Sequence, residues 1–279
     1  MVTGDLEAKA ARLRAMAKRM RLEGLDMAWS TGRKGAHLGG GFSCIEILAV
    51  LYGEVMRLDP KDPCSEDRDR LLSGKNHFTL AHFPALCERG FIRKEELCEF
   101  QKDGGRLTGY PRNVEIGLEY SGGSLGQALS VGIGMAMGMK RKGSLGRVFV
   151  LVGDGELDEG QIWEGVMSAP QFKLSNLVLI VDRNRLSYDG DTEELMPLES
   201  LEEKFKAFRW RAERCDGHDP LALLKAFNSL EGGEGPGVLI ADTVKGKGVS
   251  FIENRPEWHH HALTKEQYEQ ARAEIMAEV

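Results

Sequence analysis

Residues 151–161 read LVGDGELDEGQ and set Asp154, Glu156, Asp158 and Glu159 directly behind the apolar run Val148–Val152. A short run without polar alternation suits a strand buried on both faces of a parallel sheet. In such sheets ligands bind beyond the carboxyl ends of the strands. Gly153 and Gly155 permit a sharp turn and close backbone approach, and the start of a following helix offers free N–H groups to a phosphate. An acid there would repel a phosphate unless a cation lies between them. Asp154 therefore reads as a ligand of a hard divalent ion, Mg²⁺ or in its place Ca²⁺ or Mn²⁺, that bridges to phosphate. A second apolar run, in NLVLIVDRN, ends at Asn184, 30 residues after Asp154. Its amide oxygen and a carbonyl of the next turn are suitable further ligands. Asp158 and Glu156 also read as partly solvated cap residues, since negative side chains in a first helical turn are favoured by the helix dipole.

The elements that must position these groups follow from periodicity. RVFVLVGDG, NLVLIVDRN and GVLIADTVKG are the three strands the pattern predicts, separated by helical segments. MVTGDLEAKAARLRAMAKRMRLEGLD reads as an amphipathic helix with Leu6, Leu13, Met16, Met20 and Leu22 among charges. TGRKGAHLGGGFSC reads as a glycine-rich loop, IEILAVLYGEVM as a buried helix and DPKDPCSEDRDR as a polar loop. Short helices are expected in LAHFPALCERGF and RKEELCEFQKD. SGGSLGQALSVGIGMAMGMKRKG reads as a Gly/Ala-rich helix whose basic end suits its dipole. EGQIWEGVMSAPQF reads as a helix stopped near Pro170, and TKEQYEQARAEIMAEV as a surface helix. Together they predict an α/β fold, a doubly wound, mostly parallel sheet with helices on both faces, over residues 1–279 as one unit.

Composition bounds the function. A net charge of −6 over 279 residues argues against a general affinity for nucleic acid. No apolar stretch approaches the roughly 20 residues of a membrane span, and the first 26 residues lack the apolar region of a secretory signal. The five cysteines are dispersed, which suits reduced thiols in a cytoplasm. GIGMAMG (132–138) lies inside a helix instead of after a strand, so its glycines read as packing residues and not as a dinucleotide fingerprint. His259–His261 are adjacent and cannot all point at one zinc ion. His82 and His218 read as packed or hydrogen-bonded.

GDG followed 30 residues later by Asn resembles the thiamin diphosphate motif. With HLGGGFSCIEILAVLY, GSLGQALSVGIGMAMG, GDGELDEGQIWE, VDRNRLSYDG, TVKGKGVSF and DGHD, the chain resembles transketolase in its diphosphate-binding half, from about residue 10 to about 275. The small split transketolases, with two polypeptides, are the nearest resemblance. It implies that Asp154, Asn184 and the carbonyl of Leu186 ligate Mg²⁺, and that Gly155 and Asn184 hold the diphosphate. Gly123, Ser124 and Leu125 match the loop beside the aminopyrimidine, and Glu156 lies among the cofactor-binding residues. Glu159 matches an acid between two cofactor sites. His37 matches a substrate-side histidine, His77 one near the cofactor, and His259 one that follows Trp in the last loop. The reaction implied moves a two-carbon ketol unit from a ketose to an aldose.

Departures from the pattern fall at the substrate side. Gly109-Tyr110-Pro111 stands where the family has Gly-His-Pro, so Tyr110 takes the place of a histidine that contacts the reacting fragment. A phenol can hydrogen-bond, but with a pKa of about 10 it is a poor proton shuttle. Arg112 follows it. SGKNH carries one residue more than Ser-Lys-Gly-His, Ala36 replaces a glycine, and HHHALT replaces His-Gly-Lys-Ala-Pro, which leaves open which of His259 to His261 faces the site. An unusual ketose or ketose phosphate, with an anionic tail, is expected. The family's second (pyrimidine-binding) domain, with its activating glutamate, and its C-terminal domain find no room here. They are expected on a partner chain in an α₂β₂ assembly. The rival readings are a 2-oxo acid dehydrogenase E1-like or deoxyxylulose-phosphate synthase-like subunit, and a non-catalytic cofactor-binding regulatory module.

Overall fold

The computed structural model describes residues 2–278. Five strands form one sheet: β1 (Arg70–Ser73), β2 (Val148–Gly153), β3 (Leu177–Arg183), β4 (Arg211–Asp216) and β5 (Gly237–Asp242). Their order is β1-β2-β3-β5-β4, and each neighbouring pair is parallel. Around it run α1 (Val2–Ser30), α2 (Leu38–Phe42), α3 (Ile45–Val50), α4 (Thr79–Arg89), α5 (Gln127–Lys142), α6 (Gly160–Gln171), α7 (Thr192–Leu195), α8 (Leu201–Ala207), α9 (Pro220–Ser229) and α10 (Lys265–Ala277).

Alternate residues of the central strands feed two separate cores, as the two-residue period of a strand requires. Phe149, Leu151, Ile180 and Leu239 pack with α1, α3, α4, α9 and α10. Val148, Val150, Val152, Leu179, Val181 and Ile240 pack with α5, α6 and α8. The α/β sheet with helices on both faces is thus the predicted one. The amphipathic reading of α1 holds, since Leu13, Met16 and Met20 are buried while Leu6 and Leu22 are half-buried. Residues 45–55 form the expected buried helix, with a π-helical last turn from Leu51 to Val55.

Three expectations are corrected. The sheet has five strands, not three. β1 is only four residues long, and β4 is a half-exposed edge strand, RAERCD, whose charges hide its periodicity. The LGGGF run is helical, not a loop. Its glycines are there for close approach. A methyl at Gly39 would stand 3.0 Å from the Trp258 carbonyl, one at Gly40 3.0 Å from His77 Nε2, and one at Gly41 3.1 Å from Leu80 Cβ. Of the glycines in 132–138, only Gly132 is a packing glycine, set against Val150. Gly134 and Gly138 face open space.

Candidate active site

The strand ends come together at one level. Gly153 of β2 is paired with Asp182 of β3, and Arg183 of β3 with Asp242 of β5. The turns that follow β1, β2, β3 and β5 therefore share one edge, at the carboxyl ends where a ligand is expected. They carry Lys75 and His77, Asp154 and Glu156, Asn184 and Leu186, and Lys245.

Asp182 organises the floor. It is fully buried as the next-to-last residue of β3, behind its apolar run. It accepts from the Lys75 ammonium, from the Thr243 hydroxyl, from Ser43 Oγ at 2.6 Å and from Asn184 Nδ2 at 3.3 Å. Burial alone would raise its pKa, but the Lys75 charge and these donors hold it below the usual carboxylate range. Lys75 is buried as well, and Asp182 more than offsets its desolvation, so it keeps its proton.

Asp154 lies next to this pair. Its Oδ1 accepts from Gly155 N at 2.9 Å, and its Oδ2 from Arg183 Nη1 at 2.8 Å and Arg185 N at 2.5 Å. Asn184 Oδ1 accepts from Leu186 N at 3.1 Å. The Leu186 and Ser187 carbonyls receive the Lys245 ammonium at 3.0 and 2.9 Å. Burial and the neighbouring Lys75 lower the Lys245 pKa to about 8. Gly155 packs so closely that an added methyl would stand 3.2 Å from Ser187 Cβ. A carboxylate, an amide oxygen and a backbone carbonyl form an all-oxygen donor set, which fits a hard divalent cation. Two ammonium groups lie beside it, so the edge is also suited to a polyanion. The residues therefore fit both a Mg²⁺-class ion and a diphosphate.

Above this floor stand the imidazoles. The His37 ring lies 4.9 Å from His77, 5.4 Å from His259 and 4.5 Å from His260, and His77 lies 5.0 Å from His259. His37 precedes α2, and His259 ends the 3₁₀ turn Pro256–His259. Burial, then the neighbouring His260 and His259, lowers the His37 pKa to about 4. Burial, then Lys245, lowers that of His259 to about 4. Burial and Lys75 push His77 well below its ordinary value. At neutral pH the three are uncharged, each with one donor and one acceptor nitrogen. His259 and His260 face His37, whereas His261 stands edge-on to Trp258 at 4.6 Å and pairs through its backbone with Ala36. Of the three, His259 and His260 therefore stand with the imidazole cluster, and His261 stands apart from it.

The loop 121–126 closes one side. An added methyl at Gly123 would meet the Tyr110 ring at 3.0 Å, so Tyr110 sits against the predicted cofactor loop, half exposed. Tyr110 is not among the rings packed on the imidazoles. Leu125 is exposed. Glu156 is not the partly solvated cap expected: it is buried and accepts from Gly126 N at 2.9 Å, and burial raises its pKa to about 7. His82 and His218 do what packing residues do: His82 Nε2 meets Tyr52 OH at 2.6 Å, and His218 Nδ1 meets Glu46 at 2.9 Å. Sequence reasoning missed Lys75, Asp182, Arg183, Lys245 and Tyr188, whose ring stands edge-on to His259 at 5.3 Å. Asp182 alone had a signal, a carboxylate inside an otherwise apolar strand, which demands a partner.

Comparison with known proteins places this edge in context. The family model for the transketolase thiamine diphosphate binding domain matches residues 13–278. The chain is 41% identical over 243 residues to an apulose-4-phosphate transketolase subunit of Phocaeicola vulgatus, covering 87% of this chain and 86% of that one. It is 36% identical to the 6-deoxy-6-sulfo-D-fructose transketolase subunit SqwG of a Clostridium species, covering 87% and 89%. The transketolase structure from Campylobacter jejuni superimposes with a TM-score of 0.87 at 27% identity, over 95% of this chain and 42% of that one.

Proposed function

Since the chain belongs to the transketolase family, as its thiamine diphosphate-binding domain, we propose that it is the diphosphate-side subunit of a two-polypeptide transketolase. It transfers a two-carbon ketol unit from a ketose to an aldose. The observation that carries this reading is the convergence of Asp154, Asn184 and the Leu186 carbonyl with three neutral imidazoles at one sheet edge. Asp154, Asn184 and Leu186 would hold Mg²⁺. Gly155, with Lys75 and Lys245, would hold the diphosphate, and Gly123–Leu125 with Glu156 would flank the pyrimidine ring. Thiamin diphosphate, when bound, supplies the carbon nucleophile and the electron sink.

This chain's own residues orient the sugar and move protons. His37, His77 and His259 can each donate to a sugar oxygen through one nitrogen and accept through the other. They can take a hydroxyl proton and return it to a carbonyl oxygen within one cleft. An anionic ligand beside Lys75 and Lys245 would offset the charges that lower His77 and His259, and so make them stronger bases. Tyr110 holds the substrate by a hydrogen bond where the family uses a histidine.

Residues 1–279 are proposed to act as one diphosphate-side domain in the cytoplasm, with the pyrimidine-binding and C-terminal domains on a partner chain in an α₂β₂ assembly. Two relatives are named as one subunit of a larger enzyme, which supports a partner. Both of their names also carry an anionic substituent on the sugar, and a ketose with a phosphate or sulfonate tail is the proposed donor class. The test is to assay the chain with and without the product of the adjacent reading frame, adding Mg²⁺ and thiamin diphosphate. Ketol transfer from tailed ketoses only in the mixture is expected. Full activity of the isolated chain would overturn the split arrangement, and CO₂ release from pyruvate would overturn the reaction class.

A further inference from the structure

We propose that Glu156 is a positioning residue that sets the 121–126 loop, and that position 74 in SGKNH is a glycine to admit its carboxylate. The inference deepens the reading above, which assigns that loop to the cofactor. Three observations meet at this point. First, α5 begins at a glycine, Gly126, held at φ +85, and receives no capping hydrogen bond from that residue. The carboxylate that takes the Gly126 N–H comes from another element, the turn after β2, at 2.9 Å and out of contact with solvent. A carboxylate at the start of a 16-residue helix is stabilised by the helix dipole as well as by the N–H it accepts. Second, the carboxylate lies directly over Gly74. A methyl group added there would land on its oxygens, so any larger residue would displace it. Third, the loop it holds is pressed against the exit of β1: a methyl at Gly122 would fall on the Ser73 carbonyl and stand 3.2 Å from Asn76 Cβ.

Glu156 thus joins two strand-end turns to the loop before α5 in one contact, with its side chain from the β2 turn, a vacated Cβ position in the β1 turn, and the N–H that ends the loop. Glu156 Oε2 is buried without a partner, as are Ser73 Oγ and Asn76 Nδ2 of the neighbouring turn. A carboxylate kept there at that cost is tied to the loop by its bond to Gly126, and under this proposal the loop's conformation depends on that bond.

The test is a double-mutant cycle read two ways. Amide exchange over residues 120–127 is followed in the isolated full chain without cofactor, and thiamin diphosphate affinity is followed by fluorescence quenching in the complex with the partner chain. Glu156→Ala should free the Gly126 amide to exchange at least about 10-fold faster and weaken cofactor binding about 10-fold, the lower end of the cost of losing a supporting residue. Glu156→Gln, which keeps an acceptor, should restore most of both. Gly74→Ala should reproduce the loss in the wild-type background and add little in the Glu156→Ala background, because the space is then free. Unchanged exchange in Glu156→Ala, or a Gly74→Ala effect that persists after Glu156 is truncated, overturns the proposal. If the wild-type complex binds no thiamin diphosphate, the functional reading falls while the exchange data still decide the role of Glu156.

Discussion

Two buried ionic networks lie on either side of β5, and they are finished differently. Away from the cleft, Arg21 of α1 pairs with Glu46 of α3 and donates to the Lys247 carbonyl at 3.0 Å. Glu46 meets His218 Nδ1 at 2.9 Å, and His218 Nε2 accepts from Val244 N at 2.8 Å. That last bond fixes the tautomer: Nε2 is the acceptor, so Nδ1 carries the proton given to Glu46. None of these side chains is left with an unpaired buried atom among the described residues. In the cleft the floor is paired, but Ser73 Oγ, Asn76 Nδ2, Glu156 Oε2 and His259 Nδ1 are buried without partners. An unmet buried polar group costs about 1–3 kcal/mol. Unpaired buried atoms also occur outside the cleft, as at His82 Nδ1, Arg89 Nε and Asn176 Oδ1, so pairing alone does not mark a site. In the cleft the open positions stand beside two ammonium groups and a set of neutral imidazoles, and there they suit a ligand.

Removing one acid from each network should break function on one side and stability on the other. The largest expected effect is on the open side. Asp154→Ala should cut ketol-transfer activity more than about 100-fold, beyond the usual cost of losing a residue that merely supports a metal ligand. A Mg²⁺ titration of cofactor binding should no longer saturate. The fold should tolerate the change, because Arg183 keeps Glu193 at 2.7 Å and Glu199 at 3.2 Å, and the melting temperature checks that. On the closed side, Glu46→Ala leaves the buried Arg21 guanidinium with the neutral Lys247 carbonyl and, for a counter-charge, Glu278 at 3.5 Å. Breaking a buried pair in this way costs about 3–5 kcal/mol, or roughly 10 °C of melting temperature at this chain length. Cofactor affinity in the complex should stay as it was. Loss of cofactor binding in Glu46→Ala, or of stability in Asp154→Ala, would dissolve the distinction.

The networks should also part in pH dependence. Burial pushes Glu46 up, but Arg21 and His218 outweigh it and hold its pKa at about 2. Its contribution is present above the unfolded value of 4.5 and is lost as pH falls toward 2. The imidazoles behave differently. His37 and His259 sit at about 4 when folded, against 6.5 unfolded. Between those values the unfolded chain binds more protons, so stability rises with pH through this window and is complete above about 6.5. The isolated chain should accordingly lose stability in two stages on acidification, first from 6.5 to 4 and then below 4.5. A His37→Asn/His259→Asn variant should lose part of the first stage, the remainder belonging to His77 and His82, which burial also holds below their ordinary value, and keep the second, as thermal melts across the pH range would show.

What could be read from the sequence follows the same division. Apolar runs gave away β2, β3 and β5, and the acid or amide just behind a run gave away Asp154 and Asn184, because strand and turn are local. β4 escaped because an edge strand trades apolar residues for ion pairs: Arg214 meets Asp242 at 2.8 Å. The glycines of α2 escaped because glycine in helix is disfavoured by about 1 kcal/mol, and only tertiary contacts with Trp258, His77 and Leu80 reveal why they are there. Lys75 and Asp182 lie 107 residues apart in sequence, so no local spacing announces their pairing. The imidazole cluster became legible only through resemblance, since its members stand at residues 37, 77 and 259 and share nothing in sequence but their type.

The smallest effect is expected where pairing is least demanded, at the rim. Tyr110 is half exposed with its ring on Gly123, and water can satisfy its hydroxyl whenever no sugar is present. The hydroxyl therefore carries no folding penalty, unlike the buried orphans. Tyr110→Phe should leave the melting temperature and cofactor affinity unchanged and remove one neutral hydrogen bond to the sugar. That bond is worth about 0.5–1.5 kcal/mol, so kcat/KM for the tailed ketose should fall about 2- to 10-fold. Tyr110→His should instead raise turnover of ordinary pentose phosphates relative to the tailed ketose, because it restores a group that can shuttle protons near neutrality. If Tyr110→Phe disturbed cofactor binding as Glu156→Ala is expected to, the phenol would belong to the buried, unfinished network and not to its rim.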